Sequence, residues 1–351
     1  MTIGRRTSPR GEAAAVRVAC TRCLGNFAWW VPLLVFACNA AIGATEPKAW
    51  LDDMNRALSE LDYDGVFSYY TGRDMAALRV VHMVIDGERR ERLAYLNGPH
   101  REIIRRGDNA VCILSPDDAF VELAGSMPPG PLTFAYSGTF DSISNQYDVA
   151  RSGAGRIAGR AAERISVTPW DEDRYGYRLW LDQENGLMLR SELIGTNGEK
   201  LEVFQFTSIA FGRDVSPTAL QPSGDAILRT LHLESAKAMP AQSTQLPLRW
   251  HTGWIPAGFS MAAAEVLQSP ARPKPVETVM YSDGLASFSV FVEDRPDAVE
   301  LHGAVRHGAT VAVSDQVPAP GGQWALVTLV GEVPEATARR IAASVAYGAD
   351  F

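Results

Sequence analysis

Apolar residues recur along this chain at two different periods. Over residues 46–62, Trp50, Met54, Leu58 and Leu61 fall three or four apart on one face, Pro47 suits a first turn, and Asp64-Gly65 breaks the pattern. That spacing predicts a helix. From there to about residue 211 the period drops to two. Residues 66–70, 77–85, 91–96, 101–105, 110–114 and 120–123 read as short strands, punctuated by turn signals such as Thr71-Gly72, Asp86-Gly87 and Asn97-Gly98-Pro99. After a looser stretch over 125–147, strands at 177–182 and 187–193 flank Glu184-Asn185-Gly186, and 200–209 follows Thr196-Asn197-Gly198. Hairpin turns at this spacing, with no helical pattern between them, predict an antiparallel meander.

The faces of these strands carry the next inference. Tyr177, Leu179 and Leu181 share one face, whereas Leu201, Val203 and Gln205 oppose Glu202, Phe204 and Phe206. Apolar groups on both faces predict a curved sheet covered on one side and enclosing something on the other. The expected fold is α+β: an open antiparallel β half-barrel with covering helices over 45–220, a proline-marked linker over 221–247, and a smaller C-terminal α+β domain over 248–351. In that second unit, strands are expected around 279–281, 288–293, 310–313 and 324–330. A final helix opens at Pro334, carries Ile341 and Val345 on one face, and stops at Gly348.

Residues 1–44 read differently. Arg5, Arg6, Arg10, Arg17 and Arg22 precede an apolar run over 27–38 and then small residues up to Ala44, the layout of a secretory signal cleaved near Gly43 or Ala44. The run is short for a bilayer span, which needs about 20 apolar residues. Val35-Phe36-Ala37-Cys38 half-resembles a lipoprotein cleavage box, with the bulky Phe36 against it. The chain of 351 residues carries 33 Lys+Arg against 41 Asp+Glu, a formal −8. Removing residues 1–44 takes away five Arg and one Glu, leaving 28 basic and 40 acidic side chains, a formal −12. Such a balance argues against a general nucleic-acid binder. Of four Cys, only Cys112 would remain, too few for an internal disulfide and placed in an apolar strand as a core residue.

Catalytic and metal motifs do not hold up. Tyr281-Ser282-Asp283-Gly284 lacks the first Gly of a nucleophile elbow and leads into a strand. Asp171, Asp173, Gly176 and Asp182 sit at EF-hand-like offsets, but Tyr175 replaces a ligand and the tail alternates like a strand. The His residues lack metal spacing, and no phosphate loop or dinucleotide turn occurs. No enzyme activity, metal or cofactor is expected.

One resemblance covers nearly the whole exported chain in a single order. Trp50-Leu51-Asp52-Asp53-Met54, Tyr63-Asp64-Gly65-Val66-Phe67, Arg79-Val80-Val81-His82, Arg101-Glu102-Ile103-Ile104-Arg105 and Tyr177-Arg178-Leu179-Trp180-Leu181-Asp182 resemble the MucB/RseB family. In the second unit, Ile255-Pro256-Ala257-Gly258-Phe259, Tyr281-Ser282-Asp283-Gly284-Leu285 and Val330-Gly331-Glu332-Val333-Pro334 do so too. The 125–147 stretch departs from the pattern. The resemblance implies a periplasmic regulator of an envelope-stress sigma factor that binds the periplasmic tail of a membrane-spanning anti-sigma factor and shields it from proteolysis. It also implies a LolA/LolB-like first domain, a second domain making the main anti-sigma contact, release by lipid or lipopolysaccharide fragments, and room for a homo-oligomer.

Candidate lipid-binding residues are Phe67, Tyr69, Trp180, Phe204 and Phe206, for each of which plain core packing is the alternative. Since Trp180 faces away from Tyr177, Leu179 and Leu181, only one of those sets can line a hollow. Arg101, Arg105 and Arg106 are candidates for a phosphate-reading rim, against the plainer reading of a solvated hairpin face. Tyr281, Asp283, Leu285 and Phe288 are candidates at the partner surface. Each buried CH₂ of an acyl chain contributes about 0.8 kcal/mol. A 100-fold shift of a complex needs only about 2.7 kcal/mol of differential affinity, so lipid burial could operate such a switch. A periplasmic lipid or lipoprotein carrier is the alternative function.

Overall fold

A computed structural model describes residues 47–107, 109–114, 143–223, 229–234, 248–267, 275–295 and 303–348. The expected export segment with Cys38, the strand at 120–123, most of the looser stretch and much of the linker lie outside them.

The amphipathic pattern near residue 50 becomes helix α1 (Pro47–Glu60), which buries Leu51, Met54 and Ala57 and packs Trp50 and Leu58 beside them. It lies over one large antiparallel sheet. In the middle of that sheet, β1 (Tyr63–Tyr70) pairs with β10 (Lys200–Phe211). On one side β2 (Met75–Ile85), β3 (Glu88–Tyr95), β4 (Arg101–Arg106) and β5 (Asn109–Leu114) step outward to β11 (Arg229–Glu234) at the edge. On the other, β9 (Met188–Ile194), β8 (Gly176–Asp182) and β7 (Arg160–Pro169) lead to β6 (Tyr147–Ile157) at the opposite edge. The sheet stays open. The Asn185-Gly186 turn is required twice over, because Gly186 has φ 79° and a Cβ there would lie 3.0–3.2 Å from Asp53 of α1.

In this lobe three features depart from the sequence reading. The β6–β7 hairpin is not predicted by alternation because Gly153, Gly155 and Gly159 interrupt it. The linker contains β11, whose Leu231 and Leu233 alternate with Thr230 and His232 between proline-rich flanks. In β10 the register shifts between Lys200 and Glu202, and this bulge turns Leu201 into the same core as Phe204 and Phe206. Leu201 therefore does not oppose the Phe pair, as strict alternation predicts. Cys112 is buried in β5, as a core residue.

The smaller lobe comprises β12 (Trp250–Thr252), β13 (Ser260–Leu267), β14 (Val276–Ser282), β15 (Ser287–Arg295), β16 (Gly303–His307), β17 (Thr310–Ala319), β18 (Gln323–Gly331), α2 (Glu335–Ala343) and β19 (Val345–Tyr347). Six strands form a sheet in the order β13-β14-β15-β18-β17-β16, and β12 pairs with β19. Val290, Val292, Val311, Val313, Val327 and Leu329 pack beneath Ala338, Ile341 and Ala342 of α2. The helix stops earlier than expected. Ser344 closes it by bonding Ile341's carbonyl at 2.7 Å, and Val345 begins a strand rather than extending the helical face. β13 was not expected, because its Ala262-Ala263-Ala264 run has helical composition. Among the described residues no helix is long and apolar enough to cross a membrane.

Candidate functional site at the junction of the lobes

The two lobes meet through short polar turns. Between β7 and β8 the run Asp171-Glu172-Asp173-Arg174-Tyr175 folds back on itself, with Asp171 accepting the Asp173 N–H at 3.1 Å and the Arg174 Nε–H at 3.0 Å. This aims Arg174 into the small lobe. Its side chain is wholly buried, donating to Asp283 Oδ2 at 2.6 Å and to the Ala257 carbonyl at 2.5 Å. The guanidinium lies 5.5 Å from the Tyr147 ring centroid and 5.1 Å from that of Phe259. Tyr147 also donates to Asp283, at 2.8 Å. Burial, and then the Asp283 charge, push the Tyr147 hydroxyl well above its ordinary range, so it stays a donor.

Further contacts extend the junction. The Tyr175 hydroxyl donates to Val333's carbonyl at 3.0 Å and accepts from Arg306 at 2.7 Å. Thr337 on α2 donates to Asp173 at 2.8 Å. The β16–β17 turn buries Ala309 in the core of the large lobe, and its N–H donates to Glu202 of β10 at 2.8 Å. Glu202 also accepts from Tyr69. Beside it, burial and the Glu202 charge push the Glu332 carboxyl up to about 7. Asp171, Asp173 and Asp182 serve Arg174, Thr337 and Arg160 respectively, so these carboxylates do not converge on one point.

Phe67, Phe204 and Phe206 come together on neighbouring strands, with ring centroids 4.8, 5.9 and 5.1 Å apart, and all three are buried. Tyr69 packs against that core and donates to Glu202. Trp180 is on the opposite face of the sheet, with the Arg190 guanidinium 4.9 Å from its ring centroid. Arg101, Arg105 and Arg106 share β4. Arg101 lies 4.9 Å from the Tyr95 ring centroid, Arg105 pairs with Glu91 at 3.3 Å, and the exposed Arg106 stands opposite Arg90.

Asp283 and Phe288 are buried in this structure rather than presented on a surface. Asp283 caps its own turn, accepting the Leu285 and Ala286 N–H groups at 2.9 and 2.8 Å while it holds Arg174. Leu285 packs against the large lobe's core. Phe288 stacks on Tyr281, whose hydroxyl bonds Thr252 at 2.9 Å. The turn chemistry of Asp283-Gly284 was visible in sequence, and its inward destination was not. Sequence reasoning singled out none of Arg174, Tyr147, Glu202 and Glu332: Arg174 sits in a polar turn, Tyr147 closes the looser stretch, Glu202 follows strand alternation, and the motif that holds Glu332 assigns it no role.

Comparison with known proteins gives this architecture a family. Residues 46–224 match the MucB/RseB N-terminal domain, and residues 244–346 match the MucB/RseB C-terminal domain. The chain is 33% identical over 307 residues to the sigma factor AlgU regulatory protein MucB of Pseudomonas aeruginosa, covering 87% of this chain and 92% of that protein. It is 31% identical over 318 residues to the sigma-E factor regulatory protein RseB of Escherichia coli strain K12, covering 90% and 95%. A crystal structure of MucB in complex with MucA(peri) superposes with a TM-score of 0.71 at 31% identity, covering 87% of this chain and all of that one. The chain belongs to the MucB/RseB family of sigma-factor regulatory proteins.

Proposed function

We propose that this chain is a periplasmic negative regulator of an envelope-stress sigma factor, which binds the periplasmic part of a membrane anti-sigma factor and shields it from proteolysis. The observation that carries this reading is the match along both lobes to MucB, a relative crystallised with MucA(peri). The lobes divide the work: the sheet over 45–220 senses lipid or lipopolysaccharide fragments, and 248–351 makes the main anti-sigma contact. The part is one of binding rather than catalysis.

The geometry supports a route between the two. Phe67 and Tyr69 lie on β1, and Phe204 and Glu202 lie on β10. A fatty tail wedged against the Phe cluster would shift these two central strands and, through Tyr69 and Glu202, the Ala309 turn of the small lobe. Cores rearrange in discrete steps rather than stretching continuously, so such a displacement favours an alternative seating of the lobes. The test is protection of the cognate anti-sigma periplasmic segment from its initiating protease, with and without added lipopolysaccharide. Protection by the protein and its reversal by the lipid support the reading. No protection at saturating protein rejects it. Transfer of labelled lipid to acceptor membranes without any protection would instead assign a carrier.

A further inference from the structure

Trp180 and its neighbours form a second, chemically different feature on the outer face of the sheet. Ser152, Ile157, Arg164, Ser166, Arg178, Trp180, Arg190, Glu192 and Lys200 line a basin of about 530 Å³. The strand register builds it. Arg164 of β7, Trp180 of β8 and Arg190 of β9 stand side by side in one row, and Ser166, Arg178 and Glu192 form the next. Four cations thus face one carboxylate, a formal +3 in a chain whose overall charge is −8.

The internal pairing leaves this charge uncompensated. Glu192 is almost fully buried and accepts from Arg190 and from Lys200 at 2.7 Å, with Arg178 at 3.6 Å. Burial raises its carboxyl, but the hydrogen bonds from Lys200 and Arg190 outweigh this and hold it below its ordinary range. One negative charge therefore serves three cations. Arg164 gives its donors to the Ser152 carbonyl and hydroxyl, which are neutral acceptors. Arg190 also bonds Gln205 and covers Trp180, yet its buried Nε–H meets no acceptor. Arg178 and Lys200 remain about half exposed while sharing Glu192, so an incoming anion can compete for both.

We propose that this outer basin binds a phosphate-bearing anion carrying two or more negative charges. Guanidinium forks match phosphate oxygens in pairs, and a net +3 is better neutralised by a phosphomonoester or diphosphate than by a single carboxylate. The volume far exceeds the roughly 30 Å³ share of one water. Only Ile157 and Trp180 among the lining residues are apolar, so the site suits a charged head rather than a fatty tail. A soluble phosphate ester and a phospholipid headgroup share this chemistry.

The experiment titrates the purified protein with inorganic pyrophosphate by calorimetry, and in parallel sediments it with vesicles of one part phosphatidylglycerol to four parts phosphatidylcholine. The wild type binds one or both probes, more weakly as salt rises. The Arg178→Gln/Lys200→Gln double variant weakens that binding about tenfold or more, the loss of a charge-assisted hydrogen bond. Lys200→Glu does the same, and thermal melting checks that each variant is folded. Sensitivity with pyrophosphate alone assigns a soluble phosphate; sensitivity with vesicles assigns a headgroup. Absence of binding to either probe overturns the proposal. So does binding that these variants leave unchanged, or binding lost on Arg101→Gln/Arg106→Gln instead.

Discussion

Arg174 of the large lobe and Asp283 of the small lobe meet at 2.6 Å with neither side chain exposed, and Tyr147 donates to the same carboxylate oxygen. This pair ties the lobes at a point where both charges are removed from water. Losing Arg174 strands the Asp283 carboxylate, which costs about 3–5 kcal/mol, whereas Arg174 keeps Asp171 at 3.0 Å if Asp283 is lost. Arg174→Met should therefore lower the unfolding free energy by that much in urea titrations, and Asp283→Leu by less. An Arg174→Met/Asp283→Leu double variant should lose less than the sum of its singles, because no fully buried charge is left unpaired, Asp171 being partly exposed. Additive losses would show that the two residues act independently.

Glu332 should make the junction sensitive to pH. Its carboxyl is raised from 4.5 to about 7, by burial first and then by Glu202. Between those values the folded chain holds a proton that the unfolded chain has released. Stability in this group is therefore full below about pH 4.5, falls as pH rises toward 7, and levels off above it. Urea unfolding from pH 4.5 to 8 should show this decline in the wild type and a shallower one in Glu332→Gln. Identical slopes in the two proteins would contradict the assignment.

The two aromatic settings should respond differently to truncation. Phe204 is buried among Phe67 and Phe206, so Phe204→Ala should cost about 3–5 kcal/mol. Trp180→Ala removes a partly covered ring and its contact with Arg190, and should cost under about 2 kcal/mol. Equal losses would mean that Trp180 is as much a core residue as Phe204.

Gly331, at the end of β18, leaves no room for a side chain, because an added Cβ would overlap the Phe288 backbone and Cβ of the paired strand. Gly331→Ala should destabilise the protein by about 1–3 kcal/mol. Thermal melting reads this directly, and an unchanged midpoint would rule out the close approach.

How much of this was legible beforehand follows from locality. Trp50, Met54 and Leu58 gave α1, and the Asn185-Gly186 and Asn197-Gly198 turns fixed two hairpins, because a helix face and a left-handed turn are written in neighbouring residues. The β6–β7 hairpin was hidden by Gly153, Gly155 and Gly159, and β13 by its alanines. Strict alternation misread Leu201 because a bulge intervenes. The junction was least legible. Arg174 and Asp283 are 109 positions apart, and each has the local signature of a polar turn. Only the pairing of lobes shows that one turn points into the other.

The proposed division of labour between lobes predicts that deleting residues 248–351 abolishes anti-sigma binding. Undiminished affinity in a pull-down with the truncated chain would place the main contact on the large lobe instead.

The most direct measurement is a calorimetric titration of the intact protein with the periplasmic segment of its cognate membrane anti-sigma factor. The account predicts a saturable complex that added lipopolysaccharide weakens. Heats indistinguishable from dilution, with both proteins folded, would contradict it.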